Sequence, residues 1–144
     1  MHQATKPNVT LPFSLHDAKV TSMICNSATA GNIDGTVSFI FDNGYCKIEG
    51  NSAEQTGKAS VTISGIDFDF SHVYYCNKNK RQEVTFPQLA SDIDKNGLEI
   101  VQEAYGYNFT KWSGFMFKEK NIYEIEIEIY HFNETLYKWS DRLK

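Results

Sequence analysis

A chain of 144 residues, 41% hydrophobic and 14% aromatic, is long enough to build one core, burying roughly 70% of the surface its unfolded form exposes without disulfide or metal staples. Fourteen Lys and Arg against eighteen Asp and Glu give a formal charge of −4, which argues against nucleic acid as a partner because that affinity rests on clustered cations. Ten Phe and eight Tyr supply much of the core-forming area, and such residues favour strands.

Residues 1–10 are polar, contain Pro7 and show no hydrophobic period, so they are expected to form a flexible leader that lends at most its last residues to a sheet edge. Residues 11–144 are expected to form a single β-rich domain. Runs of β-branched and aromatic residues between turn signals predict about ten strands, at 19–25, 36–41, 45–49, 59–64, 68–76, 83–86, 98–107, 112–117, 122–132 and 135–139. Asp34-Gly35 and Asn43-Gly44 tolerate positive φ, and the second is placed to close a tight hairpin. Residues 50–57 form a longer polar connection, and Gly65-Ile66-Asp67 can bend or bulge the chain. One helix is predicted over 87–97, with Pro87 near its start, Leu89 and Ile93 on one face, and Asn96-Gly97 as its stop.

The closing segment carries the clearest period. Tyr123, Ile125, Ile127 and Ile129 point one way, and Glu124, Glu126 and Glu128 the other. Asn133-Glu134 offers a reversal, after which 135–139 is expected to pair back as a terminal antiparallel hairpin, bringing Lys138 and Arg142 near the glutamates. The fold class is therefore mainly β, or α+β with one short helix, its antiparallel sheet forming a sandwich or a partly open barrel.

Chemistry-bearing patterns are sparse. Cys25, Cys46 and Cys76 form neither a disulfide framework nor a CxxC half-site, and are expected to be buried structural thiols in a reducing compartment. The first twelve residues lack the apolar core of a signal peptide, and no segment approaches the roughly 20 apolar residues of a membrane helix. A cytoplasmic protein with no membrane contact and no cofactor is expected, in which the N-x-S/T triplets at Asn8, Asn108 and Asn133 carry no meaning. The glycines spell no P-loop or dinucleotide fingerprint, and there is no Gly-x-Ser-x-Gly elbow. His16-Asp17 is the most suggestive pair for metal or acid-base work, but neighbours on an extended strand point to opposite faces, and His2, His72 and His131 are isolated from any second ligand. His72 alternates with Phe68, Phe70 and Tyr74, which suits a hydrogen-bonded core histidine better than a general base. Asp67 and Asp69 fall on the other side of that run and fit a solvated face. Lys78-Asn79-Lys80-Arg81 fits a solvated loop tip between two strands.

The row Glu124, Glu126 and Glu128 must be solvated, paired or used. Joined by Glu99, Glu103, Asp92 and Asp94 it would steer a basic partner, and Tyr105, Tyr107 and Trp112 bracket it with aromatic anchors. The partner-binding set expected on this ground is Glu103, Tyr105, Tyr107, Trp112, Glu124, Glu126 and Glu128.

Two stretches, Leu15-His16-Asp17-Ala18-Lys19-Val20 with the strand pair around 39–45, and Tyr105-Gly106-Tyr107 through Trp112-Ser113-Gly114-Phe115, resemble small bacterial proteins of largely uncharacterised families, several of them immunity proteins of polymorphic toxin systems. The resemblance covers about half the chain and implies a non-enzymatic cytoplasmic inhibitor that occludes a cognate toxin. Two other readings stand beside it: a small-molecule-binding or hydrolytic β-barrel using His16, Asp17 and His72, and a structural module that self-associates through a sheet edge.

Overall fold

The computed structural model describes residues 1–6, 13–26, 35–49 and 52–142. In chain order the strands are β1 (His2–Lys6), β2 (Phe13–Ser14), β3 (Lys19–Val20), β4 (Ser22–Asn26), β5 (Gly35–Phe41), β6 (Cys46–Glu49) and β7 (Ser52–Gln55). They continue with β8 (Ala59–Ile66), β9 (His72–Asn77), β10 (Lys80–Val84), β11 (Leu98–Gly106), β12 (Phe109–Lys118), β13 (Asn121–Tyr130) and β14 (Thr135–Trp139). One helix, α1 (Phe86–Asn96), lies between β10 and β11.

Period-two patterning builds two main faces. Val37, Phe39 and Phe41 of β5 and Val61 and Ile63 of β8 are fully buried, with half-buried neighbours between them, and Ile125, Ile127 and Ile129 do the same on β13. Burying each such side chain contributes roughly 1.5–3 kcal/mol. The strands form a five-stranded sheet in the order β1-β14-β8-β5-β4 and a six-stranded sheet in the order β10-β9-β13-β12-β11-β3, with a small β2-β6-β7 sheet beside them. Every pairing is antiparallel, and none of these sheets closes into a barrel. The two large sheets share one core, in which the Phe39 ring meets Trp112 across the layers at 4.7 Å. The small sheet adds Phe13, stacked on Tyr137 at 5.1 Å. The protein is mainly β with one helix, as its patterning requires.

The terminal hairpin does not form. β13 already has β12 on one side and β9 on the other, so both of its hydrogen-bonding edges are filled, and β14 crosses to the other sheet to lie between β1 and β8. Asn43-Gly44 fails as a hairpin for the same reason. Gly44 has φ 75 and its N–H bonds Phe41 O at 2.9 Å, so the turn is real, but β4 and β8 flank β5 and the chain passes on to the small sheet. Hairpins form instead at Lys78-Asn79 and Glu119-Lys120, where both central residues have positive φ, the geometry that suits strand twist.

Other differences are local. His2–Lys6, expected as part of an aperiodic leader, pairs along β14, and Ser52–Gln55, expected as connection, pairs with β6. Asp34 and residues 7–12 lie outside the described residues. The run 68–76 is not one strand: Phe68–Phe70 make a 3-10 turn, capped by Asp67, whose Oδ1 accepts from Asp69 N at 3.0 Å. The helix starts one residue before its predicted span, with Thr85 Oγ1 accepting from Gln88 N at 3.1 Å and Gly97 at φ 74 ending it.

Candidate protein-interaction face

One side of the six-stranded sheet faces the core, and the pleat turns the alternate residues outward. Strand register arranges those residues in rows. Glu99, Phe115, Glu124, Cys76 and Arg81 form one row across β11, β12, β13, β9 and β10, and Gln102, Ser113, Glu126, Tyr74 and Glu83 form the next. A third row runs Ala104, Lys111, Glu128 and His72, and Phe117 faces Ile122 near the β12–β13 turn. Phe115, Phe117 and Ile122 are 46%, 65% and 62% exposed, an apolar patch on a sheet face.

The centre of this face is an ion network. The Arg81 guanidinium lies 3.7 Å over the Tyr74 ring, and its Nη2 donates to Glu126 Oε2 at 2.9 Å with Glu128 Oε2 at 3.9 Å. Lys111 reaches Glu128 at 3.6 Å, and His72 Nδ1 lies 2.6 Å from Glu83 Oε2 while its ring stacks on Tyr74. The hydrogen bond with Glu126 raises the Arg81 pKa, and the Cys76 thiol is pushed up by burial first and then by the charges of Glu126 and Glu124. Glu126 and Glu128 are therefore half-buried and paired, answered by Arg81 and Lys111 rather than by Lys138 and Arg142. The segment Lys78-Asn79-Lys80-Arg81 is a loop tip only in its first half. Glu124 and Glu99 stay exposed.

The remaining predicted site residues divide. A bulge between Ile100 and Gln102 adds one residue to β11, so Glu103 and Tyr105 turn inward although Glu99 points out. Glu103 Oε2 accepts the Leu15 N–H at 2.9 Å and its Oε1 accepts the Tyr105 hydroxyl. Trp112, 1% exposed, donates its indole N–H to Tyr105 Oη at 3.2 Å. Burial, more than any neighbouring charge, drives the Tyr105 phenol far above its ordinary pKa. Glu103, Tyr105 and Trp112 thus turn to the core side of the sheet, Trp112 buried and Glu103 and Tyr105 half-buried, away from the face that carries Glu124, Glu126 and Glu128. Tyr107 is exposed, but at the β11–β12 turn, the opposite end of β12 from Phe117.

The acid-base candidates do not meet. His16 Nδ1 and Asp17 Oδ2 lie 3.1 Å apart on an exposed turn before β3, and Asp17 has φ 65. His72 sits on β9, and β11, β12 and β13 separate that strand from β3, a span of roughly 19 Å at ordinary strand spacing. Among the described residues no group of three or more His, Cys, Asp or Glu side chains is placed to hold a metal ion.

No family model matches the chain, and no curated protein or solved structure matches it.

Sequence reasoning missed Arg81 and the Phe115, Phe117, Ile122 patch. A usable signal was present: Phe115-Met116-Phe117 is apolar on both faces of a strand that needs only one apolar face for a core.

Proposed function

We propose that the protein is a non-enzymatic protein-binding module that docks a cationic partner on the outer face of its six-stranded sheet. The observation that carries this reading is the exposed apolar patch of Phe115, Phe117 and Ile122 set beside Glu99 and Glu124. Apolar anchors with a charged rim are the usual make-up of a protein interface. Strand positions on this face carry five carboxylates, Glu83, Glu99, Glu124, Glu126 and Glu128, and three cations, Lys19, Lys111 and Arg81. Two of those cations are committed to Glu126 and Glu128, so the residual field is acidic and disfavours a second copy of the same face. The resemblance noted above supplies the particular form of the proposal, a bacterial cytoplasmic immunity-type inhibitor that occludes a basic toxin.

A photo-crosslinker placed at Ile122 is expected to capture one protein in native lysate, and Phe117→Asp is expected to abolish that capture with the melting temperature unchanged. Equal capture from Ile24, which is exposed on β4 of the other sheet, would reject the assignment. With the captured partner in hand, Glu99→Lys with Glu124→Lys should slow association by about tenfold at low salt, the difference shrinking as salt rises. An association rate indifferent to both substitutions would remove the electrostatic part.

A further inference from the structure

The rows on the outer face repeat one constellation. In one row Tyr74 stands between Glu126 on β13 and Glu83 on β10, and the guanidinium of Arg81 covers the ring at 3.7 Å while donating to Glu126. In the adjoining row Phe115 stands between Glu124 on β13 and Glu99 on β11. An aromatic ring flanked on both neighbouring strands by carboxylates offers a planar cation two things at once: the negative face of the ring and charge-assisted hydrogen bonds at its edge. At Tyr74 the chain fills that arrangement with its own arginine, which bonds Glu126, while Glu83 is taken by His72.

At Phe115 no described residue does so. The ring is 46% exposed and both flanking glutamates are exposed. The cation on the neighbouring strand, Lys19, pairs in register with Glu99 and lines the same surface depression as Glu99, Phe115 and Phe117, but its side chain runs over Gly97, its Cε 2.5 Å from where a Cβ on that glycine would stand. Phe117 and Ile122 extend the ring's apolar surface on the side toward the turn.

We infer that Phe115, between Glu99 and Glu124, receives an arginine side chain of the docked partner, as Tyr74 receives Arg81 within the chain. The inference rests on the docking face proposed above and names the chemistry of its central contact. Arginine fits better than lysine because a planar guanidinium can lie on the ring and still present N–H groups sideways to both carboxylates, whereas an ammonium is a compact, strongly hydrated point charge. A neutral planar group of the same shape would stack on Phe by dispersion alone, without the attraction of the ring quadrupole or a charge-assisted bond to the carboxylates, so the contact favours a cation as well as a plane.

The test uses the whole chain and a defined probe, the capped tripeptide Gly-Arg-Gly, followed by NMR of the Phe ring and Glu side-chain signals. Saturable shifts are expected at Phe115, Glu99 and Glu124, weaker by about fivefold with Gly-Lys-Gly and absent with Gly-Gly-Gly. Glu99→Gln and Glu124→Gln, both at exposed positions where folding is not at stake, should each weaken Gly-Arg-Gly binding by about fivefold, and Phe115→Leu should remove the preference for Arg over Lys. Shifts spread evenly over the acidic residues, or shifts at Phe115 that survive both glutamine substitutions, would overturn the inference. The peptide needs no partner, so this outcome is separate from the lysate experiment: a partner whose capture is abolished by Phe117→Asp while the peptide leaves Phe115 untouched would keep the docking face and discard the arginine.

Discussion

At the scale of single residues, two buried titratable groups tie the fold to pH. Asp92 on α1 is 2% exposed and accepts from the Tyr75 hydroxyl at 2.7 Å, from Gln88 Nε2 at 3.2 Å and from Lys118 Nζ at 3.2 Å. Burial pushes its carboxyl up, but those three donors and the lysine charge overcome this and hold it below the usual range. Its stabilising effect is thus present above the ordinary Asp value of about 3.9 and is lost as pH falls through the depressed folded value. Asp92→Ala should cost about 2–4 kcal/mol in urea unfolding at neutral pH, because it strands a buried phenol and an ammonium, and the gap from the parent protein should narrow below about pH 4. His131 behaves with the opposite charge type. It is 2% exposed, its Nδ1–H donates to Asn133 O at 2.9 Å, and in the neutral ring its Nε2 accepts from Thr110 Oγ1 at 2.8 Å. Burial lowers its pKa, partly offset by the bond to Asn133. The unfolded chain takes up this proton first, so stability is full above about pH 6.5 and declines as pH falls toward the lowered folded value. His131→Gln should flatten that slope between pH 7.5 and 5.5; an unchanged slope would place the titrating group elsewhere.

At the scale of elements, the β11 bulge is the feature that separates surface from interior. Beside the extra residue at Ile100/Gln102, β11 lies so close to β12 that a Cβ on Gly114 would stand 2.0 Å from Glu99 O. Only glycine fits there. Gly114→Val should therefore destabilise the protein by about 3 kcal/mol or more, read from the denaturant midpoint, and an effect below 0.5 on the same rough scale would mean that β11 relaxes freely. The Glu119-Lys120 turn makes the converse case, since its residues sit at φ 51 and 67 without being glycine or asparagine. Replacing the pair by Asn-Gly should relieve about 1 kcal/mol and raise Tm by about 3 °C. Strand and helix positions were largely legible from the sequence because alternation and caps are local, as at 59–64, 112–117 and 87–97. Glu103 was not: a single inserted residue reverses every side chain after it, and no turn residue marks the insertion.

At the scale of the whole molecule, the two large sheets have no core apart from each other. Phe39 of β5 packs on Trp112 of β12, and Phe13 and Tyr137 stack beside Tyr45 and Trp139. The two tryptophans report on different regions of this shared core, so a Trp112→Phe variant followed through Trp139 and a Trp139→Phe variant followed through Trp112 should each unfold in one transition that coincides with loss of far-UV circular dichroism. A fluorescence transition separate from the loss of strand signal would show that the layers melt independently.

Composition and period were enough to determine a mainly β domain, its helix, and the burial of Ile125, Ile127 and Ile129, because these follow from which residues leave water and how often they recur along a few consecutive positions. The tertiary structure alone decided which strand each edge would meet. β13 was filled on both sides by β9 and β12, which sent β14 to the other sheet and gave Glu126 and Glu128 to Arg81 and Lys111. Backbone hydrogen bonds are the same for every residue, so the local sequence carries almost no mark of its partner strand, and the contrast between a paired Glu126 and an exposed Glu124 exists only after the strands have been laid side by side.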